Sequence, residues 1–187
     1  MFYKLICIIL YWCFALNHSS LAEKWSINIE GYLSGFKVGK SKVLFEIDNS
    51  KYLINIESTT TGLTKLFYPW KQVIKASGFI DFFLVKPLVY EIQDLRQDKK
   101  PGFININYQN SYPIINSAYP DPKKDTRRKQ VAKNLLKNTF DPVNSIIALG
   151  LLSANYNSCN HSIKIFDGRR RFNIQFIQLQ INNNELK

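Results

Sequence analysis

Between Ser26 and Glu57 apolar and polar residues alternate, and this period of two confines the segment to strands more firmly than any other feature of the 187-residue chain. Ile27 and Ile29 alternate with Ser26, Asn28 and Glu30; Val43, Phe45 and Ile47 with Lys42, Glu46 and Asp48; Tyr52, Ile54 and Ile56 with Asn55 and Glu57. Successive side chains on a strand point to opposite faces, so each segment presents one apolar side. Residues 34–39 and 48–51 supply turns between them, which predicts an antiparallel meander with a single apolar face. Further strands are expected at 73–80, 88–95, 102–108, 162–166 and 170–181, with 98–102 as a hairpin loop. In the last of these, Phe172, Ile174 and Phe176 share one phase and Ile177, Leu179 and Ile181 the other. That switch implies a bulge, a bend or burial of both faces.

The most specific local signal is Asp167-Gly168, flanked by alternating residues and followed by Arg169, Arg170 and Arg171. Asp-Gly suits a type I′ hairpin turn, which needs positive φ at both central residues. On an outgoing strand Arg169 and Arg171 would project one way and Arg170 the other. Unpaired guanidinium groups are costly to bury, so at least one face of this hairpin is expected to be wet or to carry acids such as Glu46 or Glu57.

Helix is the minority element. Asp141 is a good N-cap before Pro142 at the first helical position, and Val143, Ile146, Ile147 and Leu151 recur at helical spacing. A helix over 142–153 should lay that stripe on the sheet. A second helix is expected over 130–138 and a single turn over 63–68. Residues 119–133, with six Lys or Arg against two Asp, read as an exposed loop. No repeat or change of composition divides the chain, so one domain is expected.

Residues 1–22 have the form of a secretory signal peptide. Lys4 gives the positive start, Leu5 to Leu16 an apolar run, and Ser20 and Ala22 the small residues before a cleavage point. The run falls short of the roughly 20 residues that span a bilayer. Cleavage after Ala22 would leave 165 residues starting at Glu23, enough for one core. Loss of Lys4 leaves 24 basic against 14 acidic residues, a net charge of +10. Such a balance suits anionic lipid or acidic glycan, and export argues against nucleic acid. A lysine- and asparagine-rich composition accounts for part of the same charge without a ligand.

Catalytic signals are sparse. Cys7, Cys13 and His18 leave with the leader, so Cys159 and His161 are the mature chain's one cysteine and one histidine. Two positions apart on a strand they would share a face, but two ligands do not make a zinc site and no nucleophile-elbow pattern accompanies them. Phosphate-cradling glycine loops, dinucleotide fingerprints and calcium loops are absent. No cofactor and no metal is expected. The aromatic stretches 66–70, with Phe67 and Trp70, and 79–85, with Phe82 and Phe83, carry more bulk than a turn requires. They either pack in the core or line an apolar pocket at the end of the sheet.

The order Gly31-Tyr32 to Lys37-Val38-Gly39, then Thr59-Thr60-Thr61-Gly62-Leu63, Asp141-Pro142-Val143, Cys159 and Phe166-Asp167-Gly168-Arg169-Arg170-Arg171-Phe172 resembles an exported bacterial family known as domain of unknown function 3108. The resemblance implies a periplasmic, mainly β protein: a strongly curved antiparallel sheet or open half-barrel packed on one or two short helices, loosely like periplasmic lipoprotein-localisation factors. It also implies further strands past the arginine hairpin and a second cysteine. This sequence ends at Lys187, which is read as a shortened version or a differently closed sheet. A lost partner would then account for Cys159, and an open C-terminal edge strand or Cys159 itself would favour self-association.

The function expected on these grounds is that of a non-enzymatic periplasmic envelope protein binding an apolar or amphiphilic, anionic component, a lipid or lipoprotein. Arg169, Arg170 and Arg171 would meet the anionic part, and Trp70, Phe67, Phe82 and Phe83 the apolar part. The alternatives are a surface module for peptidoglycan or another envelope protein, and a hydrolase acting on an acidic substrate. No transmembrane span is expected after cleavage.

Overall fold

The computed structural model describes residues 22–96, 100–126 and 129–177. Residues 1–21 of the expected leader, the tip of the 98–102 loop, Arg127, Arg128 and the 178–181 end of the expected last strand lie outside the described residues. The chain forms β1 (Glu23–Leu33), β2 (Phe36–Asp48), β3 (Lys51–Thr60), a short helix α1 (Gly62–Phe67), β4 (Lys71–Asp81), β5 (Leu84–Asp94), β6 (Gly102–Gln109) and β7 (Tyr112–Tyr119). Two single 3-10 turns follow, at Pro122–Lys124 and Lys133–Leu135, then α2 (Pro142–Tyr156), β8 (Ser162–Phe166) and β9 (Arg171–Gln175).

The first seven strands pair in chain order into one antiparallel sheet, and β8 and β9 form a separate two-stranded sheet. The protein is therefore mainly β, as its alternation predicts. The large sheet stays open, because β1 and β7 are not neighbours. Two-residue turns join several strands: Ser34-Gly35 between β1 and β2, and Asn110-Ser111 between β6 and β7, have positive φ at both positions as type I′ turns require. The period-two pattern becomes one apolar layer through register. Phe45 opposes Ile54, Ile54 opposes Ala76, Ala76 opposes Tyr90 and Tyr90 opposes Ile106.

Over β3 to β6 this layer is covered. Tyr52, Ile54, Ala76, Tyr90, Ile104 and Ile106 are buried against Val143, Ala148 and Leu149 of α2 and Ile163, Ile165 and Phe166 of β8. Toward β1 the cover ends, and Trp25, Ile27 and Ile29 are 45%, 53% and 52% exposed. Gly78 makes the centre possible. A Cβ there would run into the Tyr52 hydroxyl and lie 2.6 Å from the Lys86 carbonyl oxygen, so only glycine admits the tyrosine ring beneath the β4–β5 bulge.

Helix α2 starts as predicted. Asp141 caps it by accepting from the Val143 and Asn144 amides at 3.1 and 2.9 Å, and Asn157 ends it in the left-handed region. Three of the four expected stripe residues, Val143, Ile147 and Leu151, pack against the core. Val143 is buried together with Asn144, Ser145, Ala148 and Leu149, whereas Ile146 is 68% exposed. Asn144 joins that face, its side chain donating to Asp141 and accepting from the Tyr52 hydroxyl, each at 2.5 Å. A helix expected over 130–138 is only the 3-10 turn Lys133–Leu135, since so short a segment does not offset the cost of helix nucleation. Strand β7 escapes the pattern because its apolar pair Ile114-Ile115 straddles both faces and Pro113 reads as a breaker.

The arginine hairpin forms, with a different turn. Residues 167–170 make a four-residue connection in which only Gly168 has positive φ, +87°. The Asp167 carboxylate accepts from the Arg169 and Arg170 amides at 2.8 and 2.7 Å, and this local bond replaces the type I′ geometry. Arg169 and Arg170 therefore belong to the turn and only Arg171 to β9, so the alternation expected of the three does not arise.

Candidate functional site

The tip of the β8–β9 hairpin is wedged between the covered face of the sheet and the loop that follows β7. Gly168 lies against β6 so closely that a Cβ would sit 2.7 Å from one methyl of Ile104 and 3.4 Å from Ile106. Phe140 runs alongside β8, donating its amide to Lys164 O at 2.9 Å and accepting from the Phe166 amide at 2.8 Å, which fixes the hairpin to the segment before α2. From this seat Arg169 reaches the loop and donates through Nη2 to the Pro120 carbonyl at 2.7 Å.

Arg169 lies on the walls of two cavities. The larger, of about 770 Å³, opens above Ile92, Ile104 and Ala118, with Asp94, Asp121, Lys124 and Asp125 among its polar lining. Asp94 accepts from Arg96 Nε at 3.1 Å through one oxygen, and its other oxygen is buried without a hydrogen-bond partner among the described residues. The smaller cavity, of about 300 Å³, lies between β7 and the loop. Pro113, Ile114, Ile115, Val131, Leu136 and Phe166 give it an apolar lining, and Lys123, Lys129, Lys133 and Arg169 stand around it against the single acid Asp125. An apolar hollow of this size with a few convergent charges is the usual form of a small-ligand site.

The remaining expected site residues do not gather there. Arg170 is exposed and holds Asp167 through Nε and Nη2, both at 2.9 Å. Arg171 has a buried Nε without a hydrogen-bond partner among the described residues and lines neither cavity. Glu46 and Glu57, the acids considered as arginine partners, are paired instead with Lys24 at 3.2 Å and Lys71 at 3.5 Å. Trp70 is half-buried on a separate hollow of about 260 Å³ with Ile29, Val38 and Thr59. Phe67, on α1, is 86% exposed, and Phe82, in the β4–β5 turn at the opposite end of the meander, is 91% exposed beside the exposed Phe83. These aromatics neither pack in the core nor share a pocket. Cys159 is exposed, and His161 donates from Nε2 to the Ser158 carbonyl at 2.8 Å with its ring against Tyr156. Among the described residues no three His, Cys, Asp or Glu side chains gather to hold a metal.

Sequence reading missed the lysine ring and the buried polar centre. The lysines were visible as a basic loop, but the apolar wall they face comes from β7, which the pattern did not announce. At the centre, Asp141 is fully buried, and that burial pushes its carboxyl up to about 6 despite the hydrogen bonds that Asn144 and Val143 give it. Tyr108 and Tyr90 are raised first by burial and then by the negative field of Asp141.

No helix among the described residues is long and apolar enough to cross a membrane. No curated protein and no solved structure matches the chain. The family model described as Protein of unknown function (DUF3108) matches residues 25–182, and the chain belongs to that family.

Proposed function

We propose that this chain is exported through its N-terminal leader and serves in the periplasm as a non-catalytic binder of an amphiphilic anion of the envelope, an acyl chain bearing a carboxylate or phosphate. The observation that carries the reading is the 300 Å³ hollow beside β7, apolar inside and attended by three lysines and Arg169. The apolar part of the ligand would lie against Ile114, Ile115 and Leu136, and its head among Lys123, Lys129, Lys133 and Arg169. Arginine held in place by Pro120 is pre-organised for a planar or tetrahedral anion, while the lysines act as adaptable point charges.

The test is fluorescence titration of the exported protein with a dansyl-labelled fatty acid and with its methyl ester. The acid is expected to bind roughly tenfold or more tightly than the ester, the scale of a hydrogen bond to a charged group. Replacing Arg169 and Lys123 together with glutamine should remove that preference, and Val131→Trp, which fills the hollow, should weaken both probes. Equal binding of acid and ester, or no binding of either, would overturn the reading.

A further inference from the structure

Strand β1 is the exposed edge of the large sheet: all eleven of its residues are exposed, and no described strand pairs with its outer side. The opposite edge is guarded. Strand β7 carries Pro113, its pairing is interrupted by a bulge, Asn138 donates to the Ser111 carbonyl beside it, and the loop bearing Val131 and Leu136 stands across from it. Proline, bulges and covering loops are the usual means of blocking strand addition. Strand β1 has no proline, and its register with β2 is regular from Glu23 to Gly31, shifting only between Gly31 and Tyr32. Its inner face between the ends, Trp25, Ile27 and Ile29, is apolar and half exposed.

We propose that β1 pairs antiparallel with β1 of a second copy of this chain, about a two-fold axis through Ile27. The midpoint of the regular run from Glu23 to Gly31 is Ile27, so this register uses the whole run. It is also self-complementary. Lys24 meets Glu30 of the second copy, Trp25 meets Ile29, Ser26 meets Asn28, and Ile27 meets itself. Each pair sits on one face of the sheet, charges on the outer side and apolar groups on the inner. The charge pair occurs twice by symmetry. Moving the axis by one residue, to Ser26 or Asn28, would instead place Lys24 opposite Asn28 or Tyr32 and lose both ion pairs. The product is one continuous sheet of fourteen strands, seven from each copy, in which the two uncovered inner faces adjoin. The pairing rests on the edge strand alone and needs no ligand.

Charge exchange tests both the interface and its register. Full-length protein is expressed with export, recovered from the periplasm and followed by sedimentation over a concentration series. Wild type is expected to form dimers. Lys24→Glu places two Glu–Glu pairs across the axis and Glu30→Lys two Lys–Lys pairs, so each alone should weaken association by roughly tenfold to a hundredfold. An equimolar mixture of the two should form a heterodimer, because every crossing pair is then Glu with Lys, and Lys24→Glu/Glu30→Lys in one chain should restore the homodimer. Circular dichroism establishes that each variant folds. A wild type that stays monomeric throughout, or single variants that dimerise as tightly as wild type, would overturn the proposal.

Discussion

Asp141 caps α2 and at the same time buries a carboxylate among Asn144, Tyr52, Tyr90 and Tyr108. Its folded value of about 6 lies above the ordinary 3.8, so the folded state holds the proton more tightly than the unfolded chain does. Stability from this group is therefore greatest at and below about pH 4, falls as pH rises toward 6 and then levels off, a loss on the order of 2–3 kcal/mol. Glu30, lowered chiefly by its hydrogen bond from Lys37, acts in the other direction but only as pH falls below its usual 4.5. Chemical denaturation between pH 5 and 7 thus isolates Asp141. In Asp141→Asn the slope should vanish, while overall stability drops by roughly 1–2 kcal/mol because the new amide opposes that of Asn144; a slope unchanged from wild type would remove Asp141 as its source. The cap was legible in the sequence from Asp141-Pro142. Its coupling through Asn144 to Tyr52, 92 positions from that asparagine, was not, since no local pattern records a contact that only the folded sheet creates.

The β8–β9 hairpin shows the same division one level up. Asp167-Gly168 announced a turn between two strands, and the strand limits at 162–166 agree with the alternation. The turn type was settled by the Asp167 side chain, and the docking against Ile104 is tertiary. Gly168 is therefore constrained twice, by φ of +87° and by its neighbours, whereas Gly35, at φ of +83°, has nothing within 4 Å of a Cβ. Gly35→Ala should cost about 1 kcal/mol, the conformational term alone. Gly168→Ala should cost roughly 2–4 kcal/mol, with crowding added. Urea unfolding of the pair measures the difference, and equal losses would show that the hairpin does not press on β6. For α2 the spacing gave the element, its start and three of the four stripe residues on the packed face, but not the buried Asn144 and Ser145 that share that face. Strand β7 was lost because the residues that make it half of a cavity wall also break its alternation.

At the scale of the molecule, cover is uneven across a single sheet. Strands β3 to β6 lie under α2 and β8, while β1 has only β2 beside it. In Lys24→Glu, which should be monomeric, amides of β4 and β5 are expected to exchange with solvent only through global unfolding, and those of β1 at least about a hundredfold faster through local opening. Hydrogen exchange read by mass spectrometry distinguishes this from uniform protection, which would mean that the sheet opens as one unit. The open meander was readable from alternation and turns; the two cavities were not, because each is bounded by parts of the chain that the sequence keeps far apart. Pairing in chain order also governs how the molecule can be made. A chain synthesised amino end first can close each hairpin as its second strand emerges, without waiting for distant partners. The elements that cover the sheet, α2 and β8, are the last large pieces to arrive. Until they arrive the apolar face is bare, and any delay between β7 and α2 prolongs the interval in which it needs protection from neighbouring chains.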